Sequence, residues 1–405
     1  MADPASKTSG ELEHERIWVQ GDLVIQGFRR LIRKYVRPSG QGHDLTTIED
    51  ALSTLSIDDS NLGKETRLNQ LESRLLPTLN SQITDLSESL KPLGLLEELE
   101  PKLRIVSQIQ VELERNVDEI ISFISLVCPE PLSTPNRFDD QLSRQFKSYR
   151  LHSLKEKFGQ TTQNIILVFR EGYKLLEKLK SSPEEVRRLS YEEFPGAGLV
   201  KQTTYTIDWA IECIKGTELD VAQHNWMADF DDIDQMQTEL RMLIDPHVYE
   251  NKRKLRRQKV IHLARLLIGL IKILKLFFTK LSKRGMRMQR LPSFTEMCSE
   301  QIESLAQSLR HVTSDLGHLM ILLYRADDNQ EADSGQIFVS EAANLKSRFH
   351  APLVLLLLYL VPSIPDTDGS STQDYYRNWF VTWNAQRIRA VENIISVAKT
   401  LESDA

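Results

Sequence analysis

Apolar residues recur three and four positions apart along nearly the whole of this 405-residue chain, and nowhere do apolar and polar residues alternate for long between hairpin turns. A helix gathers residues i, i+3, i+4 and i+7 on one side, whereas a half-buried strand needs a period of two. The pattern predicts an all-α protein of long helices arranged in up-and-down bundles, with two bundles packed together.

Prolines and glycines punctuate the pattern. A first helix is expected from about Leu12 to Val36, stopping at Arg37-Pro38 because proline disfavours the α conformation in the residue before it. A polar linker follows to Leu62. Helices at Thr66 to Leu90, Glu97 to Val127 and Phe138 to Lys180 are separated by Pro92-Leu93-Gly94 and by Pro129, Pro131 and Pro135. Turn residues from Ser181-Ser182-Pro183 to Gly198 mark the main boundary, which divides the chain into 1–62, 63–182 and 183–405. The last region should hold helices at Leu199 to Lys215, Glu218 to Leu243, Tyr249 to Arg284, Ser293 to Arg325, Gln336 to Leu360 and Thr372 to Leu401. Asp327 to Gly335 reads as an acidic connecting loop, and there is no fixed-period repeat.

With 40% apolar and 27% charged residues the chain has the balance of an ordinary globular protein, so most of it should fold. Met1 to Gly10 lacks the apolar stretch of a secretory leader. Three widely spaced cysteines, Cys128, Cys213 and Cys298, fit a reducing compartment better than a disulfide framework, which points to the cytosol or nucleus. Val260 to Leu281 is long enough to span a bilayer, but Lys272 and Lys275 near its middle would each cost roughly 2.5–3.5 kcal/mol there. A buried helix is the expectation, and no transmembrane segment is expected.

Motifs for chemistry fail on inspection. Gly196-x-Gly198 is followed by Lys201 where a dinucleotide loop has its third glycine, and no strand precedes it. Glu11-x-x-His14 lacks the second copy that a two-metal helical site needs. His14-Glu15 is followed by Trp18 instead of the second histidine of a zinc helix. Asp229, Asp231, Asp232 and Asp234 miss the glycine and the oxygen spacing of a calcium loop, and Gln235 interrupts an Asp-Asp-x-x-Asp magnesium motif. His311 and His318 share a face with no partner beyond Asp315. No nucleophile elbow is present. The chain is therefore expected to be non-enzymatic, with no cofactor and no bound metal.

One feature stands out. Asn251 to Arg290 carries fourteen Lys or Arg and no acid, which leaves the rest of a chain of net charge −6 at −20. Within it the helix 249–284 sets Arg265, Lys272, Lys275, Lys280 and Lys283 opposite Leu263, Leu266, Leu267, Leu270, Leu274, Phe277, Phe278 and Leu281. Leu266, Ile271, Ile273 and Phe278 flank the apolar seam where a two-stranded zipper would carry charges, so the helix should be the core of a bundle. Its cations would then be solvated or matched by acids such as Asp229 to Asp234. Lys252, Arg253, Lys254, Arg256, Arg257, Lys259, Lys283, Arg284, Arg287 and Arg290 form the candidate surface for an anionic partner: an acidic protein face first, nucleic acid or anionic membrane second. Gly269, in mid-helix, suggests close approach of another backbone.

Several stretches, LLPTLNSQITDLSESL (Leu75 to Leu90), KSYRLHSLKE (Lys147 to Glu156), WAIECIKGTELDVAQHNW (Trp209 to Trp226), Arg265 to Leu305 and the late NWFVTWNAQ, resemble an expanded family of uncharacterised helical proteins from rust fungi. The layout is loosely similar to cyclin-D-binding and vinculin-like bundles. Neither resemblance implies an activity. The expectation is an intracellular helical module that binds other proteins; an unrecognised enzyme or metalloprotein is the remaining alternative.

Overall fold

A computed structural model describes residues 9–36, 60–128, 137–188, 193–245, 254–282, 286, 291–328, 334–366 and 371–401. The described residues are all-α and contain no strand. They fall into two compact units, one of Met1–Leu132 and Arg150–Lys215, the other of Ser133–Tyr149 and Gly216–Ala405. The division follows Lys215 instead of falling within 181–198, because the helix after that turn-rich stretch packs into the first unit. Most of the expected linker at 37–62 and of the loop at 327–335 lies outside the described residues.

The first unit comprises α1 (Ser9–Tyr35), α2 (Ser60–Gln70) running through a π turn (Leu71–Leu75) into α3 (Leu76–Ser89), α4 (Pro92–Glu97), α5 (Leu99–Val127), α6 (Ser148–Ser181, whose first two residues belong to the second unit), α7 (Pro183–Arg188) and α8 (Ala197–Lys215). α3 packs against α5 and α8, and α1 against α5. α1 also lies antiparallel to α6: Asp22 pairs with Lys180 at 2.6 Å, the Phe28 ring sits 5.7 Å from that of Phe169, and Arg29 pairs with Glu177. Gly27 lets Gln110 of α5 cross α1 and donate to the Val24 carbonyl at 2.9 Å; a Cβ at 27 would meet that amide.

Proline explains both π turns. Leu76 N–H reaches back to the Leu71 carbonyl immediately before Pro77, and Val361 N–H reaches the Leu356 carbonyl, at 2.8 Å, immediately before Pro362. A proline has no N–H for the carbonyl four residues back and its ring crowds that carbonyl, so the preceding turn widens.

The second unit holds α9 (Glu218–Gln223), α10 (Trp226–Ile244), α11 (Gln258–Leu281), α12 (Ser299–Asp327), α13 (Ser334–Ser347), α14 (His350–Leu355) with its π turn (Leu356–Leu360), and α15 (Thr372–Lys399). α11 is central and packs against α10, α12 and α15. Leu263, Leu267, Leu270, Leu274, Phe277 and Leu281 are completely buried, and so are the flanking Ile271 and Phe278. The wide apolar stripe is therefore a bundle core, as its flanks predict. Phe277 and Phe278 form the centre of an aromatic cluster with Trp226, Phe349, Phe380 and Trp383. Both indole N–H groups of this cluster find a helix carbonyl: Trp226 donates to Ala306 and Trp383 to Ile273.

Five expected helices are shorter than their periodicity suggests. Among the described residues 249–284 is helical only over Gln258–Leu281, because the Arg256 and Arg257 N–H groups go to Asp327, and 293–325 starts only at Ser299, because the Thr295 N–H goes to Glu218. The 218–243 segment breaks at His224-Asn225, and 336–360 breaks ahead of Pro352. Residues 138–147 are a strap instead of the first turns of α6. The strap is held by Asp140, whose carboxylate accepts the backbone N–H of Ser148 (2.8 Å) and of Ser299 (2.8 Å), the first residues of α6 and α12, as well as the Ser299 hydroxyl. A carboxylate that caps two helix starts satisfies donors that no helix can satisfy internally. At its end the buried Lys147 ammonium pairs with Glu218 and donates to the Thr295 carbonyl at 2.7 Å. Glu218 in turn accepts the Thr295 N–H and hydroxyl.

Gly269 departs from its expected role. It lies on the exposed side of α11, and a Cβ there would meet no atom within 4 Å. Gly269→Ala should therefore stabilise the second unit by about 0.8–1 kcal/mol, the helix-propensity difference alone, measured by chemical denaturation. A destabilised variant would show that this face is covered.

Candidate functional site

The basic segment begins where α10 ends. The Lys254 ammonium donates to the carbonyls of Met242 (2.7 Å) and Asp245 (2.6 Å), at the end where α10 leaves oxygens without internal partners. Arg256 and Arg257 give their backbone N–H groups to Asp327 at 2.8 and 2.9 Å, and the Arg257 guanidinium donates to the Ala326 carbonyl at 2.7 Å, closing the end of α12. Lys259 reaches the Thr400 carbonyl at 2.6 Å, closing α15. Three cations that read in sequence as a docking surface thus lie at the negative ends of three helices. There each is favoured by the helix dipole by typically about 0.3–1 kcal/mol. Arg256 stands beside them with its side chain exposed. The other six candidates, Lys252, Arg253, Lys283, Arg284, Arg287 and Arg290, lie outside the described residues.

Along α11 the cationic side is divided. Lys275 pairs with Asp234, so the acidic run of α10 does meet the basic helix. Lys280 donates to the Tyr375 hydroxyl at 2.7 Å and sits 4.4, 5.0 and 5.5 Å from the rings of Tyr375, Tyr376 and Trp379. That three-ring setting draws on α15, nearly a hundred residues on, and has no local signal. Arg265 and Lys272 are exposed.

Gly196 lies against Phe194, whose ring a Cβ would strike at 2.3 Å, so the turn into α8 needs that glycine for packing. Asp315 is held by Arg348 through two bonds of 2.9 and 3.2 Å, and His318 approaches Glu341 at 4.0 Å. The side chains of Glu11 and His14 lie outside the described residues. Among the described residues no three His, Cys, Asp or Glu side chains converge as metal ligands, and no helix is long and apolar enough to cross a membrane. The three cysteines are buried, and burial pushes the Cys128 and Cys213 thiols up to about 12, which makes both poor nucleophiles at neutral pH.

Asp229 is the acid that the sequence could not single out from its neighbours. It is buried in the first turn of α10, and its Oδ2 has no hydrogen-bond partner among the described residues. Desolvation raises its carboxyl above the usual range, Arg310 pulls the other way, and Asp232 adds to the rise. The folded state therefore holds this proton at a pH where the unfolded chain has lost it. The stability contributed by Asp229 accordingly grows as pH falls through its raised value toward 3.8. In paired denaturation series the wild type should gain on Asp229→Asn as pH is lowered from about 7 to about 4; a constant difference would contradict this.

Two family models match the chain. Residues 64–215 match a domain of unknown function (DUF8723), and residues 217–396 match a second domain of unknown function (DUF8721). No curated protein and no solved structure matches. The chain is thus similar to two domain families placed in tandem, which meet where the second unit resumes after Lys215.

Proposed function

We propose that this protein is a non-enzymatic helical module of the cytosol or nucleus that binds another protein through its second unit. The observation that carries the reading is an apolar ridge on α14 and its π turn. Val354, Leu357 and Leu358 are turned outward there, with Leu358 59% exposed, although Leu353, Leu355, Leu356 and Leu360 of the same segment are buried in the core. Apolar side chains clustered on a helix face mark interaction surfaces more often than singly scattered ones do. Buried cysteines of raised pKa support an intracellular setting and argue against thiol catalysis. The resemblance to the rust-fungal helical family is in keeping with this reading and brings no activity of its own.

The competing reading, nucleic acid or anionic membrane held by 251–290, is weakened by the capping duties of Lys254, Arg257 and Lys259. The ridge is tested with a photo-crosslinking residue at position 358. A protein adduct should form in source-cell extract and be competed by wild-type protein, but not by Leu358→Asp. That substitution should change stability by no more than about 0.5 kcal/mol, as at other exposed positions. Equal competition by the variant, or steady turnover of a substrate by the pure protein, would overturn the proposal.

A further inference from the structure

We infer a second binding site, in the first unit, for a compact ligand carrying two or more phosphate groups. An open surface cavity of about 320 Å³ is lined by Arg29, Ile32 and Arg33 of α1 and Arg170, Tyr173 and Lys174 of α6. Because the helices are antiparallel, the i and i+4 pairs Arg29/Arg33 and Arg170/Lys174 face one another across it. Four cations, a tyrosine and Ile32 line the space, and no carboxylate does.

The cations are of two kinds. Arg29 is fixed by Glu177 and by the Tyr173 ring, 5.5 Å from its guanidinium carbon, and Lys174 is held by Glu171 at 2.8 Å. Arg33 and Arg170 have no carboxylate partner among the described residues. Like charges brought together without counter-ions repel, and this pair is solvent-exposed at a place where either could be neutral at no cost to the core. The net excess of two positive charges and the planar donors of arginine suit a polyanion with phosphate geometry, which guanidinium groups bind through two parallel bonds. A carboxylate-lined or apolar cavity would have no such preference.

The experiment is calorimetric titration of the full chain with inorganic pyrophosphate and with inositol hexakisphosphate. In parallel, flotation is done with neutral vesicles with and without a lipid whose inositol headgroup carries two phosphates. Variants are Arg33→Glu and Arg170→Glu, with Arg265→Glu/Lys272→Glu as a charge control in the second unit. Saturable binding that weakens about tenfold or more in either arginine variant, and not in the control, is the expected result, since a charge-assisted bond is lost in each. Binding of the free anions assigns the site to a soluble ligand; binding of the phosphorylated vesicles alone assigns it to a membrane headgroup. Arg33 and Arg170 are exposed, and unchanged circular dichroism of the variants separates lost binding from unfolding. No saturable binding by any probe, or equal weakening in the control, would overturn the inference.

Discussion

Lys147→Met is expected to cost the second unit about 3–5 kcal/mol, because it leaves the Glu218 carboxylate buried without its cation. Both side chains are fully enclosed, so water cannot replace the lost partner. The penalty comes from the lone charge, not from lost attraction, and this has its own consequence. Adding Glu218→Gln to Lys147→Met should recover about half of the loss, because an amide can still accept from Thr295 and carries no charge to desolvate. Urea denaturation followed by the fluorescence of Trp226, Trp379 and Trp383 measures both. A double variant as unstable as the single one would locate the cost in packing instead.

Phe277→Ala should cost a similar amount, about 3–5 kcal/mol, for a different reason. Phe277 has ring neighbours in three segments: Phe278 on α11 at 5.1 Å, Phe349 just before α14 at 5.2 Å, and Phe380 and Trp383 on α15 at 5.8 and 4.6 Å. A cavity at that point cannot be closed by the movement of one helix. The adjacent Leu276 is more than half exposed, so Leu276→Ala should fall within about 0.5 kcal/mol of wild type. Equal effects at the two positions would mean a different register for α11.

Whatever depends on local spacing is legible in the sequence. The apolar stripe of α11 follows from a period of 3.6, and the width of its flanks is enough to exclude a zipper. What stays obscure depends on residues that meet only in the fold. Lys254, Arg257 and Lys259 look like a surface patch until the ends of α10, α12 and α15 arrive beside them. Gly269 suggests a close contact because helix interiors rarely carry glycine, yet it faces open space. The strap at 138–147 has helical periodicity, and Asp140 wins it away by capping two helices at once. The α1/α6 cavity has no sequence signal either, since Arg29 and Arg33 lie some 140 residues from Arg170 and Lys174.

The strap also sets an order of events during synthesis. Residues 137–149 emerge long before the Ser299 hydroxyl that accepts the Tyr149 N–H, 150 residues later. At about 5–20 residues per second, the strap waits roughly 8–30 s for the start of α12 to lie against. Lys147 waits 71 residues for the Glu218 carboxylate. The same geometry governs dissection. A fragment cut to the matched region 217–396 contains Glu218 and lacks Lys147, and a fragment cut to 64–215 has the reverse deficiency. Each would carry half of a buried ion pair, so a single cut after Lys215 yields two pieces of chain and no intact second unit.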